Sequence, residues 1–435
     1  MNAAMEGILK LELPPEAEFL SVAVAAAEAA GRAFGLGEAR VPRLALAVEE
    51  FFEYLRREAR RDEPLGLTLR RLGPAARAEF RFRAEHLDLR ALNYAAGVAP
   101  GDGGEMGLVL AARFTDRCRL TLLGKDDVLL AAEVDREYPA AEALRETPKL
   151  TPPFTLSEAP TSETLRHAAM LAAGRYPARL CPKGFFNPGR LVDMVEAGLY
   201  SALAVTDSGG RPAGLLLWRS PGGQGVLFSG PYVLDPERGP EIGRLLAEGF
   251  LARVARTKAV CAVSERPTAD LPAEYFEPLG SLFFTAGGEV AEQAAFYRSL
   301  REDEGAAVWA HPDLASFLER EYDRLAFMRD ILFPDPDEGR EREHSLLSTE
   351  LDLRRGLAVL RPLLGGRDLA ENLGRHVEAL RREGIPDILF YLDMAWSWQA
   401  AMTPALLVAG FTPRLVLPHS GVSDEAVFEH DPQPR

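Results

Sequence analysis

The segment Val41–Arg60 constrains the fold most, because its apolar side chains recur at spacings of three and four residues. This period predicts a long helix with one buried face. The face consists of Leu44, Ala47, Val48, Phe51, Phe52 and Leu55. Before it, the sequence predicts a strand at Ile8–Leu13 and a first helix at Glu16–Phe34, which stops at Gly35. The chain therefore opens in the order strand, helix, helix.

The strand patterns that follow supply a sheet for these two helices. They are Leu67–Leu72, Ala78–Arg83, Arg119–Leu123 and Val128–Val134, with a helical run at Glu105–Phe114 between the two pairs. A glycine-rich loop, Gly101-Asp102-Gly103-Gly104, leads into that helical run. The complete order predicts an α+β sandwich with its helices on one face.

Prolines at positions 148, 152 and 153 interrupt the pattern and predict a linker. Strands and helices alternate beyond it. The predicted strands are Phe154–Glu158, Ser201–Thr206, Ala213–Trp218, Val226–Leu234, Ala259–Val263, Ser281–Thr285, Ala306–Ala310, Ser345–Leu351, Gly356–Leu364, Ile388–Leu392, Thr412–Leu417 and Glu425–Phe428. The predicted helices are Ser162–Gly174, Pro188–Ala197, Gly239–Arg256, Ala273–Pro278, Leu314–Ile331, Asp368–Arg382 and Trp396–Val408.

The order of elements after Gly365 repeats the order after Leu234, so we predict that the last part of the chain is a divergent copy of the middle part. The predicted domains are residues 1–140, a linker at 141–153, residues 154–300 and residues 301–435. The predicted fold class is α+β and multidomain.

Charge and composition exclude several function classes. The net charge is −15, which argues against nucleic-acid binding. No apolar run reaches the length of about 18–20 residues that a spanning helix needs, so we expect no membrane segment. The first residues lack the pattern of a signal peptide, and three scattered cysteines suit neither disulfides nor zinc. We expect a protein of the bacterial cytoplasm with no metal site.

Residues 8–137 resemble the histidine-kinase-like ATPase fold of anti-sigma-factor serine kinases. The resemblance rests on the strand–helix–helix opening, the acidic motif around Glu50 and the glycine-rich run Gly103-Gly104-Glu105-Met106-Gly107. It implies that Glu50, Gly103, Gly104 and Gly107 line a nucleotide site, with backbone amides of the loop cradling phosphates.

Two departures argue against ATP as a ligand of this domain. Tyr54 stands where the family has a Mg²⁺-binding asparagine, and a phenol is a poor ligand for a hard cation. The stretch 80–93, FRFRAEHLDLRALN, lacks the family's adenine-reading Asp-x-Gly motif. The resemblance instead implies a protein partner, bound at the first long helix and the glycine-rich loop. The alternative, without a functional role, is that Glu50 belongs to a run of charged side chains on the solvent-exposed face of the helix.

Residues 154–285 resemble the GNAT acyltransferase fold. The resemblance rests on FTLSEAPTSETLRHAAML, LAVTDSGGRPAGLLLW and YVLDPERGPEIGRLL. It implies acyl-CoA as the ligand, bound along one strand and at the following helix N-terminus. The implied binding residues are Tyr232, Val233, Arg238, Gly239, Ile242 and Gly243. Two residues at that turn depart from the pattern, since Pro240 has no N–H and Glu241 carries a charge that repels a diphosphate.

The candidate catalytic residues of this domain are Glu265 as a general base and Tyr275 as the proton donor to the CoA thiolate. The family's tyrosine aligns with Phe276, which carries no proton, and Tyr275 is its neighbour. The alternative for Glu265 is an exposed surface carboxylate. In the C-terminal copy, Ala409-Gly410-Phe411 matches a family motif, but Leu406 stands where its tyrosine would be.

Substitutions at several sites favour a non-catalytic regulatory or scaffolding protein of bacterial signalling that binds a partner protein or a ligand. The alternative is an acyl-CoA-dependent N-acyltransferase, and a third hypothesis is a nucleotide-binding switch at Glu50. Whether the protein is an enzyme stays open, as does its oligomeric state. An acyltransferase requires an opening between its fourth and fifth strands, with free amides at Val233 and near Ile242. A structural remnant would fill that opening with its own side chains.

Overall fold

A computed structural model describes residues 7–60, 62–84, 88–96, 103–123, 127–142, 144, 149–222, 224–286, 288–335 and 337–431. The chain forms two compact units. The first unit comprises Met1–Glu137, Arg340–Glu350 and Leu360–Ala379, and the second comprises Tyr138–Gly339, Leu351–Val359 and Leu380–Arg435. Each unit is thus assembled from three stretches of chain. The predicted domain boundaries at 140, 153 and 300 stay a prediction.

The N-terminal stretch of the first unit forms a five-stranded antiparallel sheet with three α-helices in its described residues. Its strands are β1 (Ile8–Leu13), β2 (Leu65–Leu72), β3 (Ala75–Arg83), β4 (Arg117–Leu122) and β5 (Asp127–Asp135). The sheet order is β1-β2-β3-β5-β4. The helices are α1 (Leu20–Ala33), α2 (Val41–Glu58) and α3 (Gly103–Phe114). All six apolar residues predicted for the face of α2 are fully buried in the core.

The second unit begins with a seven-stranded mixed sheet. Its elements are β6 (Thr155–Ser157), α4 (Ser162–Arg175), α5 (Pro188–Glu196), β7 (Ser201–Thr206), β8 (Pro212–Arg219), β9 (Gly225–Val233), α6 (Gly239–Val254), β10 (Cys261–Pro267), β11 (Glu277–Ala286) and β12 (Glu289–Ser299). The strand order is β11-β12-β10-β9-β8-β7-β6. Strands β9 and β10 are parallel, because the chain crosses over through α6 between them, and the other neighbours are antiparallel.

The remaining elements follow in chain order. They are β13 (Ala306–Trp309), α7 (Pro312–Leu325), β14 (Arg329–Leu332), β15 (Leu346–Asp352), β16 (Leu357–Leu364), α8 (Leu369–Arg382), β17 (Asp387–Asp393), α9 (Ser397–Ala400), α10 (Thr403–Val408), β18 (Phe411–Leu417) and β19 (Glu425–His430). Strands β13 and β14 form a parallel pair, and a five-stranded sheet has the order β15-β16-β17-β19-β18. Leu346 and Leu364 belong to the core of the first unit.

The mixed helix-and-sheet architecture confirms the predicted fold class at that coarse level. Several local predictions are wrong. The helix expected at Ala273–Pro278 is a single 3₁₀ turn at Ala273–Tyr275, followed directly by β11. Strand β12 was not predicted, because its alternation of small and charged residues is weak.

Among the described residues, none of the helices combines the length and the hydropathy needed to cross a membrane.

The helix predicted over Leu314–Ile331 ends early, at Leu325. The next residue, Ala326, has φ of 55°, which is the left-handed conformation that terminates a helix. The chain then returns as β14 beside β13. Helical periodicity continued past this point, so the sequence pattern alone did not reveal the end.

Two glycines near α8 give a matched test of the first unit. A Cβ on Gly366 would lie 2.3 Å from the backbone of His344 and Ser345, whereas one on Gly374 would meet nothing within 4 Å. We expect Gly366→Ala to lower the free energy of unfolding by about 1–3 kcal/mol, because backbone must move. We expect Gly374→Ala to raise it by about 1 kcal/mol, because alanine is the better helix former.

Urea denaturation of both variants, followed by circular dichroism, measures these changes. Equal midpoints for Gly366→Ala and the wild-type protein would show that the approach of residues 344–345 to Gly366 is not as close as described.

Candidate functional site

The predicted opening between the fourth and fifth strands, here called the acyl-CoA slot, lies where β9 and β10 end. The two strands stay paired as far as Gly230 and Pro267. Immediately beyond, the buried Thr268 hydroxyl donates a hydrogen bond to the carbonyl of Pro231. The strands therefore remain joined past their last ladder pair.

The backbone amide of Val233, predicted to bind acyl-CoA, already has a partner. Its N–H donates to the hydroxyl of Tyr176 over 2.7 Å. The same hydroxyl lies 2.6 Å from Asp270 Oδ2, to which it donates, and 3.0 Å from the Val233 carbonyl. Burial, followed by the hydrogen bond to Asp270, raises the pKa of Tyr176, so the phenol stays protonated at neutral pH. Tyr176 thus occupies the amide that the family leaves for its ligand.

Asp270 closes the other side of the slot, against the start of α6. A Cβ on Gly243 would lie 2.7 Å from the Asp270 carbonyl oxygen, so only a glycine lets the two backbones approach this closely. The Asp270 carboxylate also faces Gly239, whose added Cβ would lie 3.6 Å from Oδ1. Ile242 is fully buried. A carboxylate of the chain itself therefore lies near the helix N-terminus where the resemblance predicts a diphosphate.

The first turn of α6 carries the substitutions that the sequence indicated. Pro240 lies in that turn, and Glu241 is half exposed, with its carboxylate 3.9 Å from the Arg238 guanidinium. The Tyr232 side chain is fully buried, and its hydroxyl donates to the Leu180 carbonyl over 2.5 Å. Of the six predicted binding residues, the structure brings Val233, Gly239 and Gly243 together around Asp270.

The predicted base Glu265 lies at a β-bulge, because the register of β10 against β9 shifts between Ser264 and Arg266. Its carboxylate accepts a hydrogen bond from Arg219 over 3.1 Å and lies 3.1 Å from Arg266 Nη1. Burial alone would raise the pKa of Glu265, but Arg266 and Arg219 outweigh it and lower the pKa to about 2. A carboxylate with so low a pKa is a weak base, and it is an ion-paired group rather than an exposed one.

The predicted acid Tyr275 has a separate environment. Its hydroxyl donates to Glu248 Oε1 over 2.5 Å, and this hydrogen bond raises its pKa. The neighbouring Phe276 is buried with its ring 5.1 Å from that of Phe228. Glu265 and Tyr275 lie on different elements and contact different side chains, so the predicted acid and base do not form a pair.

In the first unit, the structure brings Glu50 and Gly107 together. A Cβ on Gly107 would lie 1.9 Å from Glu50 Oε2, so the carboxylate packs directly against α3. Burial, together with Glu49 and Glu53, raises the pKa of Glu50. Gly103 and Gly104 form the start of α3, whereas Gly101 and Asp102 of the predicted loop lie outside the described residues.

Tyr54 is buried, and its hydroxyl donates to the backbone carbonyl of Asp88 over 2.7 Å. Burial raises its pKa, so it stays a neutral phenol. The side chain that the resemblance aligns with a Mg²⁺-binding asparagine therefore donates its hydrogen bond to the chain's own backbone.

Asn93 ends the stretch that the resemblance aligns with the adenine-reading motif. Its side-chain amide donates to the Ser345 carbonyl over 2.9 Å, and its Oδ1 accepts from the Leu347 amide over 3.0 Å. The Asn372 side chain donates to the same Oδ1. Asn93 is 6% exposed, so this stretch of the first unit is covered by residues from the C-terminal part of the chain.

Sequence reasoning missed Tyr176, Asp270, Asn93 and the two arginines beside Glu265. The run Ser264-Glu265-Arg266 places charges at the end of an apolar strand. This run was the one sequence signal that an arginine lies beside Glu265. Tyr176 and Asp270 carry no local signal, because they are 94 residues apart in the sequence. No cluster of metal-ligating side chains was found in the part of the chain that the structure describes.

No protein-family model matches the chain, and no curated protein matches it. Solved structures similar to about a third of the chain are GNAT acetyltransferases. A phosphinothricin acetyltransferase of the GNAT superfamily from Sinorhizobium meliloti, in complex with acetyl-CoA, is 19% identical. It covers 35% of this chain and 90% of its own, with a TM-score of 0.29.

Two further structures give the same result. An aminoglycoside 6′-N-acetyltransferase complexed with coenzyme A is 13% identical and covers 34% of this chain and 98% of its own, with a TM-score of 0.27. A GNAT-family acetyltransferase from Staphylococcus aureus is 10% identical over 34% of this chain and 100% of its own, again with a TM-score of 0.27. Nothing in these comparisons supports the predicted ATPase resemblance of residues 8–137, which stays a prediction.

The slot closure can be tested by comparing Tyr176→Phe with Tyr275→Phe. We expect Tyr176→Phe to lower the free energy of unfolding by about 1–3 kcal/mol, because the buried Val233 amide and Asp270 carboxylate lose their partner. We expect Tyr275→Phe to change it by less than about 0.5 kcal/mol, because its hydrogen bond is exposed. Guanidinium denaturation measures both, and equal effects would contradict the closed slot.

The ion pairs of Glu265 predict a pH-dependent contribution to stability. The folded pKa of about 2 lies below the ordinary value of about 4.3, so the contribution is complete above pH 5 and is lost as pH falls towards 2. We expect Glu265→Gln to destabilise the protein by about 1–3 kcal/mol at pH 7 and by progressively less below pH 4. Denaturation of both proteins across this range measures the difference, and a constant difference would refute the assigned pKa.

Proposed function

We propose that this chain is a non-catalytic regulatory or scaffolding protein of bacterial signalling. In this proposal, a GNAT-like part of the second unit has kept its fold without acyl transfer, and it binds a ligand or a partner elsewhere. The observation that carries the proposal is the hydrogen bond that the Val233 amide donates to the Tyr176 hydroxyl. The same hydroxyl donates to Asp270, which packs closely against α6 at Gly243.

The physical reason is competition for the same groups. A pantetheine arm needs the Val233 amide, and a diphosphate needs amides at the start of α6. The first is bonded to a phenol, and the second faces the carboxylate of Asp270. Pro240 removes one further donor from that turn. Binding acyl-CoA would require breaking internal hydrogen bonds and displacing a loop that contacts the helix backbone.

A protein partner at the first unit is part of the same proposal. The commitment of Tyr54 to the Asp88 carbonyl supports a first unit that does not use Mg-ATP. Among the described residues, three large apolar side chains are exposed on the helices at or beside which the resemblance implies partner binding. Two of them are Val22 on α1, which is 47% exposed, and Met106 on α3, which is 40% exposed, and the third is Phe114 at the end of α3, which is 42% exposed.

The alternative is an acyl-CoA-dependent N-acyltransferase. The parallel pair β9 and β10, with α6 between them in the chain, favours it, because this arrangement puts a helix N-terminus beside the ends of two strands. In that mechanism Val233 would bind the pantetheine arm after Tyr176 had moved away.

Thermal unfolding and a turnover assay distinguish the two functions. We expect 1 mM acetyl-CoA to shift the melting temperature no more than 1 mM ADP, which supplies a diphosphate without a pantetheine arm. A ligand at a hundredfold excess over its Kd would stabilise the protein by about 2.7 kcal/mol, which is a readable shift. We also expect no release of free CoA thiol with a panel of primary amines.

An acetyltransferase of known acetyl-CoA affinity serves as the positive control in both assays. An acetyl-CoA shift well above that of ADP, or thiol release that depends on an amine, would overturn the non-catalytic proposal in favour of the acyltransferase.

A further inference from the structure

The first strand of the chain leaves one edge of the sheet in the first unit open. Strand β1 stands at the end of the order β1-β2-β3-β5-β4 and, among the described residues, pairs with β2 alone. Two of its side chains, Ile8 and Leu9, are 45% and 39% exposed. An open strand edge presents unpaired backbone groups, which are a template for a further strand.

The register of β1 shows which backbone groups face the open edge. The Arg71 amide donates to the Gly7 carbonyl over 3.1 Å, one residue before the first pair of the ladder. Hydrogen-bonded pairs alternate with non-bonded pairs along an antiparallel ladder. The residues of β1 that bond to β2 are therefore Leu9, Leu11 and Leu13. The N–H and C=O groups of Ile8, Lys10 and Glu12 point away from β2, towards the open edge.

The side chains of β1 alternate between the two faces of the sheet. Leu13 is 4% exposed and belongs to the core of the first unit, and Leu11 packs against the same core. Lys10 and Glu12 lie on the opposite face and are exposed. Within the described part of the chain, neither charged side chain has an ion-pair partner. The open edge therefore carries one free cation and one free anion, two residues apart.

The run Leu9-Lys10-Leu11-Glu12-Leu13 is complementary to itself in the antiparallel direction. When Leu11 lies opposite Leu11 of a second copy, Lys10 of each copy lies opposite Glu12 of the other. Leu9 then lies opposite Leu13, so an apolar side chain faces the exposed Leu9. Opposite charges on directly facing residues stabilise a strand pair. In this register Lys10 and Glu12 also exchange the N–H···O bonds of their outward backbone groups.

Charge and polarity select this register over its neighbours. A shift by one residue would put the leucines of one copy on the face that carries the charges of the other. A shift by two residues would place Lys10 opposite Lys10, or Glu12 opposite Glu12, and like charges directly opposite each other destabilise a strand pair. The register centred on Leu11 avoids both conflicts.

We propose that β1 pairs with β1 of a second copy of this chain in the register centred on Leu11. The two five-stranded sheets would then join into one ten-stranded sheet. A second copy is the occupant that the edge fits, because this one strand carries both members of each ion pair. The interface uses residues of the first unit only, so it stands independently of whether the acyl-CoA slot is closed.

Sedimentation velocity of the full chain tests the proposal. Two short strands bury less than the roughly 1,200 Å² of a standard interface, so we expect a reversible monomer–dimer equilibrium between about 1 and about 200 μM. A chain that stays monomeric across this range would overturn the proposal.

Charge-reversal variants identify the interface. We expect Lys10→Glu to weaken dimerisation at least about tenfold, because it places carboxylates opposite each other. We expect Glu12→Lys to weaken it to a similar extent, because it places ammonium groups opposite each other. A mixture of the two variants should form heterodimers, because each substituted residue then faces the opposite charge. The double variant Lys10→Glu/Glu12→Lys should dimerise like the wild-type protein, because its ion pairs are restored with reversed polarity.

Lys258→Glu is the matched control, because Lys258 is exposed in the second unit and the substitution changes the net charge by the same amount. We expect it to leave the dimerisation constant unchanged. Circular dichroism of every variant verifies that it is folded, and the double variant keeps the test valid if a single variant is not.

Three results would overturn the proposed dimer. They are a dimer that neither single variant at β1 weakens, two single variants that stay apart when mixed, and a control that weakens the dimer as much as Lys10→Glu does. Acyl transfer by the protein would instead overturn the proposed function and leave this interface untouched.

Discussion

The backbone N–H of Val233 is the group on which the arrangement of the second unit depends most. It is buried at the end of β9, where the ladder to β10 has stopped, and a buried amide must find a partner. Tyr176, at the end of α4, supplies that partner and is itself bonded to Asp270. One hydroxyl thereby ties together a helix end, a strand end and the loop after β10, and Asp270 in turn packs on α6 through Gly243.

The same requirement for satisfied polar groups governs the first unit. Asn93 is buried, and its side chain has both donor and acceptor groups to satisfy. The backbone of Ser345 and Leu347 satisfies both, with Asn372 adding a further hydrogen bond. Tyr54 similarly uses the carbonyl of Asp88. In both units, side chains of the protein take positions where the family resemblances imply ligands.

The charged groups around Glu265 are the contrasting case, because two of their atoms, Nε of Arg266 and Nε of Arg355, are buried without hydrogen-bond partners. A bulge in β10 places Glu265 and Arg266 next to each other, and Arg219 shares the same carboxylate. Arg355 then adds charge without adding an acceptor.

Local pattern predicted much of the fold, because it depends on neighbouring residues. The period of Val41–Arg60 located α2 and its buried face, and the strand preceding α6 was found within one residue of each end. Prediction failed where a short element interrupts a continuing pattern, as at Ala326, and where alternation is weak, as in β12. For the candidate site, the sequence singled out Val233, Gly243, Glu265 and Tyr54, but not their hydrogen-bond and ion-pair partners.

The sequence by itself determined the types of most helices and strands, the apolar faces and which residues stand at Tyr54, Pro240 and Glu241. Only the tertiary structure determined that Tyr176 reaches Val233, that Asp270 faces α6 and that two arginines share the Glu265 carboxylate. The physical reason is distance along the chain. Periodicity reports on residues a few positions apart, whereas hydrogen bonds and charge balance in a buried site depend on side chains brought together from separate elements.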